Sequence, residues 1–260
     1  MSQFFDFARF GRLFRKHTAE HLRGYFMSTV VLLGGIGLVL GYVAYLNTQA
    51  MVPSIQAVVF TMGLLSSGAF FTSTVLAEFG NPRQATAALM LPASHWEKYL
   101  VAWLYALPIF LLAYVGCFYL MASVVLQLDD WAGPRPDLVS LFSNQEKLPA
   151  TLVVYALLSA VFLWGSIFFR KQQFVRTAFV LLLGLAALAL VNLQAQKWLL
   201  GPGLVSAIPF SSVKFQEGTT GPAGTISLTE QQLRWLVVVP VGLLLLSWAG
   251  AYARLTEKQL

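Results

Sequence analysis

Six runs of apolar residues, at about 26–46, 54–76, 99–127, 150–169, 174–193 and 233–252, are each long enough to cross a bilayer, and none has an interior Lys, Arg, Asp, Glu or His. A hydrocarbon core about 30 Å thick takes roughly 20 residues of helix. Inside it every backbone N–H and C=O must be bonded within the segment, so runs this long are read as helices. The third run is long and carries Pro108 about a third of the way along, which predicts a tilt or a kink. Only 11% of residues are charged and 57% are hydrophobic, whereas a soluble domain carries about 25% charged residues. A soluble globule of this length could not hide so much apolar surface. The first run begins only after 25 residues and is a full span long, so no cleavable signal peptide is expected. The single cysteine, Cys117, cannot form an internal bridge. These features predict one all-α polytopic membrane domain over residues 1–260.

The net charge of +6 invites a nucleic-acid reading until the charges are placed. Twelve of the seventeen Lys and Arg fall on one side of the predicted membrane: Arg9, Arg12, Arg15, Lys16 and Arg23 before the first span, Arg83 and Lys98, then Arg170, Lys171 and Arg176, then Arg254 and Lys258. The other side has Arg135, Lys147, Lys197, Lys214 and Arg234, in longer loops. With five and six acids respectively, the sides carry +7 and −1. The positive-inside rule therefore predicts both termini in the cytoplasm and no nucleic-acid partner. Tyr42 and Tyr45 close the first span, Trp96, Tyr99 and Trp103 open the third, and Trp235 and Trp248 bracket the sixth. As a set they fit interfacial belts; any one of them fits ordinary packing equally well.

Residues 4–25 sort by face at 100° per residue. Phe4, Phe7, Phe10, Leu13, Phe14 and Leu22 share one half of the wheel, and the five basic residues share the other. This predicts an amphipathic helix in the interface, its basic face toward anionic headgroups. His17 and His21 stand i, i+4 on it. With no third ligand nearby they are expected to be solvated or interfacial, and no metal site is expected.

Reactive chemistry at depth is missing. All three histidines fall outside the spans, so an intramembrane serine protease has no base. Ion-coupled carriers keep ionisable groups in the bilayer, and no phosphate-binding glycine loop followed by Lys is present. The chain is expected not to be an enzyme and to need no cofactor. The spans carry small residues instead. Gly37 and Gly41 form a close-packing face. The second span holds Thr61, Ser66, Ser67, Thr72, Ser73 and Thr74, with Gly63 and Gly68 among them. These suit either a lightly polar substrate path or interhelical hydrogen bonds worth about 0.6 kcal/mol each.

The stretch between spans two and three is the most organised loop. Pro82 can start a short helix and Pro92 must end it. Ser94 then stands three before Glu97, a capping box opening the third span. A short helix held between two spans suits docking of a soluble partner, through Glu78, Pro82, Arg83, Leu91, Pro92, Ser94 and Glu97; a plain turn needs only a few residues.

In this arrangement, and in "LMLPASHWEKYL" at residues 89–100, the chain resembles the ABC-2 type permeases, the membrane subunits of ATP-binding-cassette exporters. The topology match covers the whole chain, while the motif covers about twenty residues. The resemblance implies a type V exporter-like architecture. Residues 79–93 become a coupling helix inserting into a separate ATP-binding subunit, and residues 4–25 a connecting helix beside it. Residues 194–232 become an extracytoplasmic loop, in which "KWLLGPGLVSAIPF" is apolar enough to dip into the interface. It further implies a bacterial cytoplasmic (inner) membrane, a second permease copy or related chain, and membrane lipids as partners. The main rival is a non-transporting scaffold or assembly factor recruiting cytoplasmic proteins; an intramembrane enzyme is a weaker third.

Overall fold

The computed structural model describes residues 5–46, 51–75, 94–128, 137–141, 148–169, 171–200, 204–206, 213–216, 223–226 and 230–257. Six helices are long and apolar enough to cross a membrane. They are α1 (Phe7–Leu46), α2 (Pro53–Val75), α3 (His95–Leu128), α4 (Leu148–Phe168), α5 (Gln173–Leu200) and α6 (Glu230–Glu257). Each covers one of the expected spans to within one residue, so the chain is built as a multi-pass membrane protein. It divides into two compact units, Met1–Phe174 with Ser247–Leu260, and Val175–Leu246.

In the first unit α1 starts on Asp6, whose side chain accepts the Ala8 N–H at 2.9 Å while its carbonyl accepts the Phe10 N–H at 2.9 Å. The helix then runs unbroken for 40 residues, about 60 Å. No proline interrupts it. Its glycines do not stop it either, because a broken turn in hydrocarbon strands unbonded backbone groups. The segment expected as an in-plane helix over 4–25 and the first span are thus parts of one continuous helix from Phe7 to Leu46. The N-terminal half of α1 lies alongside α3 through its apolar face, where Phe14 stacks on Tyr105 at 5.3 Å, and further along the helix Gly37 meets Met121. The phenylalanine face thus finds a protein surface as well as lipid, while Phe7 and Leu22 stay exposed.

Pro108 lies in a π-helical turn of α3, Tyr105–Ile109. Proline has no N–H to donate, and the widened turn carries the Phe110 N–H back to the Tyr105 carbonyl, five residues away. Tyr155 of α4 donates its hydroxyl to the Ala106 carbonyl in this turn at 2.5 Å. Around it sits the main core, with Phe60 and Leu64 of α2, Tyr114 and Phe118 of α3 and Tyr155 all buried. Gly63 and Gly68 of α2 make room for two of these rings: a Cβ at Gly63 would collide with the Tyr114 hydroxyl, and one at Gly68 with the Tyr155 ring.

At the end of the unit away from residue 7, a buried amide closes the bundle. Gln56 donates to the Met51 and Asp137 carbonyls, both at 3.1 Å, and accepts the Val139 N–H at 3.1 Å. Tyr119 donates to the Val139 carbonyl at 2.6 Å. At the opposite end the aromatics expected as a belt are engaged in packing. Trp96 stacks on Tyr252 at 4.3 Å, Trp103 meets Trp248 edge-on at 5.5 Å, and buried Tyr99 donates to the Trp248 carbonyl at 3.2 Å. They join the start of α3 to the end of α6.

In the second unit α5 exposes apolar side chains around its whole circumference from Leu182 to Val191, as a helix solvated by lipid does. It extends to Leu200, beyond the expected end at 193. The expected extracytoplasmic loop, 194–232, holds a small antiparallel sheet: β1 (Leu204–Ser206), β2 (Val213–Gln216) and β3 (Ala223–Ile226), in the order β1-β2-β3. Val213 pairs with Ile226 and Gln216 with Ala223. The helical expectation holds for the six spans, and the strands add a small β element to the expected all-α fold.

Candidate functional site

The most constrained polar cluster is built on Glu97, in the first turn of α3. The expected capping box is present. The Glu97 N–H donates to Ser94 Oγ at 3.2 Å, and Glu97 Oε2 accepts the Ser94 N–H at 2.9 Å. The other oxygen leaves the helix. Oε1 accepts the N–H of Asp6, itself the N-cap of α1, at 2.9 Å, and lies 3.3 Å from Nη2 of Arg9. Arg9 also reaches Asp6 Oδ2 at 3.7 Å. One carboxylate thereby caps two helices at once, where both helix dipoles favour a negative charge.

Glu97 is fully buried. A buried carboxylate costs several kcal/mol unless it is paired and its lone pairs are bonded. Here two N-cap N–H groups and a guanidinium meet that demand. The node fixes the beginning of α1 to the point where the 76–93 segment feeds into α3.

No family model, curated protein or solved structure matches the chain.

Of the residues expected to dock a partner, Ser94 and Glu97 stand in this node, whereas Glu78, Pro82, Arg83, Leu91 and Pro92, and with them the expected coupling helix 79–93, lie outside the described residues. The path-lining set divides. Ser66 and Ser67 line an elongated groove of about 980 Å³ between α1, α2 and α3. Each donates to its own helix, Ser66 to Met62 and Ser67 to Gly63, both at 2.5 Å. Ser73 is buried away from the groove and donates to Phe70 at 2.7 Å. Of these four hydroxyls, that of Thr61 reaches another helix, 3.3 Å from Thr151 of α4. Gly37 packs against Met121 within the chain, and a Cβ at Gly41 would meet open space.

His17 and His21 are not simply solvated. Their rings stack at 4.4 Å, His17 Nε2 is 2.8 Å from the Tyr25 hydroxyl, and Thr18 is 2.5 Å from the Tyr105 hydroxyl. The pair belongs to an aromatic column with Tyr25 and Tyr105, and these two tyrosines line one end of the groove. Among the described residues no three His, Cys, Asp or Glu come together as metal ligands.

Sequence reasoning missed three things: the roles of Asp6 and Arg9, the clamp at Gln56, and the tyrosines opposite the α2 glycines. Asp6 did carry a signal, since a capping residue stands just ahead of the amphipathic run. Arg9 had only its charge.

Proposed function

We propose that this chain is the membrane-embedded permease half of an ABC-2 type exporter, driven by a separate ATP-binding subunit. Its N-terminal end faces the cytoplasm of a bacterial cell in this reading, and the subunit docks on residues 79–97. Two such six-helix chains flank a path, and closure of the ATP-binding subunits rocks the helices between inward and outward states. Hydrolysis belongs to the partner, so this chain needs no catalytic residue.

The observation that carries the reading is the Glu97 node. A push on the segment entering at Ser94 is delivered to α3 through its capping box and to α1 through Asp6 and Arg9. A carboxylate shared by two helices is a means of moving both together.

The test is purification of the intact chain from its native membrane in mild detergent. Recovery of an ATP-binding-cassette subunit, lost when Arg83 is replaced by Glu, supports the proposal. Recovery of other soluble proteins and no ATPase, under conditions that keep known complexes together, overturns it in favour of a scaffold.

A further inference from the structure

The groove between α1, α2 and α3 has an occupant that its own chemistry selects. On α1 it runs from Tyr25 to Val39, about 21 Å along the helix axis, longer than the roughly 15 Å depth of one leaflet's hydrocarbon. Its walls are chiefly apolar, with Leu32, Ile36, Val59, Met62, Ile109 and Phe110 among them. It is open along one side, where Val31, Val58, Met62 and Phe70 are well exposed.

Five hydroxyls in the walls, those of Thr29, Ser66, Ser67, Thr74 and Tyr114, look polar in the sequence and are already engaged as donors in the structure. Thr29 donates to the Tyr25 carbonyl at 2.9 Å and Thr74 to Phe71 at 2.7 Å, as Ser66 and Ser67 do within α2. Tyr114 donates to the Phe60 carbonyl at 2.9 Å. Serine and threonine bonded back to their own helix in this way present a surface that asks for no polar ligand. Water would find few partners on such walls, and a hydrated cavity needs two to four per molecule. A concavity of this size within the span of apolar helices is filled by what surrounds it.

We infer that the groove is a binding site for one acyl chain of a membrane phospholipid, lying along α1 between Tyr25 and Val39. The polar end of the lipid sits at the Tyr25 end, where His17, His21 and the Tyr105 hydroxyl are gathered. The chain terminus reaches toward Val39 and Val58. This site requires only the membrane-spanning fold and stands whether or not the protein is a permease.

The geometry provides its own blocking variant. A Cβ at Gly35, which lines the groove, meets nothing within 4 Å, so Gly35→Trp starts in open space and is the variant chosen to fill the groove. Gly34→Trp, equally open but not among the lining residues, is the control. The full chain is reconstituted into nanodiscs of phosphatidylethanolamine and phosphatidylglycerol. A fraction of the lipid carries a diazirine near the end of one acyl chain; after illumination the adducts are mapped by mass spectrometry.

The expected result is adducts concentrated around Val39 and Val58, several-fold denser than on the exposed stretch Leu182–Leu190 of α5. Gly35→Trp should reduce them several-fold and Gly34→Trp should not. Met62→Trp, which fills the groove from α2, should act like Gly35→Trp and guards against a folding defect in either variant. Equal labelling of α5 and the groove, or labelling indifferent to both fillings, overturns the inference and leaves ordinary surrounding lipid. Efficient disulfide formation between copies carrying Met62→Cys, with no groove adducts, also overturns it and assigns the groove to a second chain.

Discussion

The two ends of the first unit are fastened by buried polar side chains of opposite character. At one end Gln56 joins a short segment to α2 through backbone groups alone: two carbonyls and one N–H meet one amide. At the other end Glu97 joins α1 to α3, and its negative charge requires Arg9 and two helix N-termini. A neutral amide satisfied by backbone has nothing for a competing charge to attack. An ionic node can be loosened by another charge brought close. The breakable fastening stands where the proposed partner docks, and the unresponsive one closes the far end.

The largest effect should come from Glu97→Ala, which takes from Arg9 its buried carboxylate partner at 3.3 Å and from two N-cap N–H groups their acceptor. A loss of about 3–5 kcal/mol is expected for breaking a buried pair, read as denaturant unfolding in detergent, with faster hydrogen exchange over residues 6–25. Glu97→Gln keeps an acceptor and should lose less; equal losses would show that the charge is irrelevant and erase the contrast. Next, Gln56→Leu strands the Val139 N–H and two carbonyls and should cost about 1–3 kcal/mol. Limited proteolysis near 137–141 should increase while exchange over 6–25 stays unchanged. Loosening at both ends together would mean that the two fastenings are not independent.

Between the ends, Gly68→Ala pushes a methyl into the Tyr155 ring and should cost about 1–3 kcal/mol by overpacking, visible as a lower melting temperature. Thr61→Val removes the contact with Thr151. The expected change is about 0.6 kcal/mol, seen in a double-mutant cycle with Thr151→Val.

What the sequence made legible follows from the range of each interaction. The spans could be read because lipid enforces a simple rule over some 20 consecutive residues. The Ser94–Glu97 box could be read because its partners are three residues apart. Arg9 and Glu97 are 88 positions apart, and nothing local distinguishes Arg9 from Arg12 or Arg15. Gly63 and Gly68 were visible as small residues, yet the tyrosines that explain them lie on α3 and α4. The hydroxyls of α2 misled in an instructive way. Composition suggests polar walls or interhelical bonds, whereas Ser66, Ser67, Ser73 and Thr74 all turn back on their own backbone.

The π turn at Tyr105–Ile109 sets the angular phase of everything that precedes it on α3. Such a turn holds one residue more than an α turn, and each residue of an α-helix advances about 100°. Relative to an uninterrupted helix, the segment His95–Leu104 is therefore rotated by over a quarter of a revolution about the axis of Phe110–Leu128. That rotation decides which way Glu97 points. Were the turn rewound to α geometry with all its residues kept, the carboxylate would face away from Arg9 and Asp6 while every span kept its hydropathy. Pro108 and its turn thus act as an indexing device, aligning the node with α1.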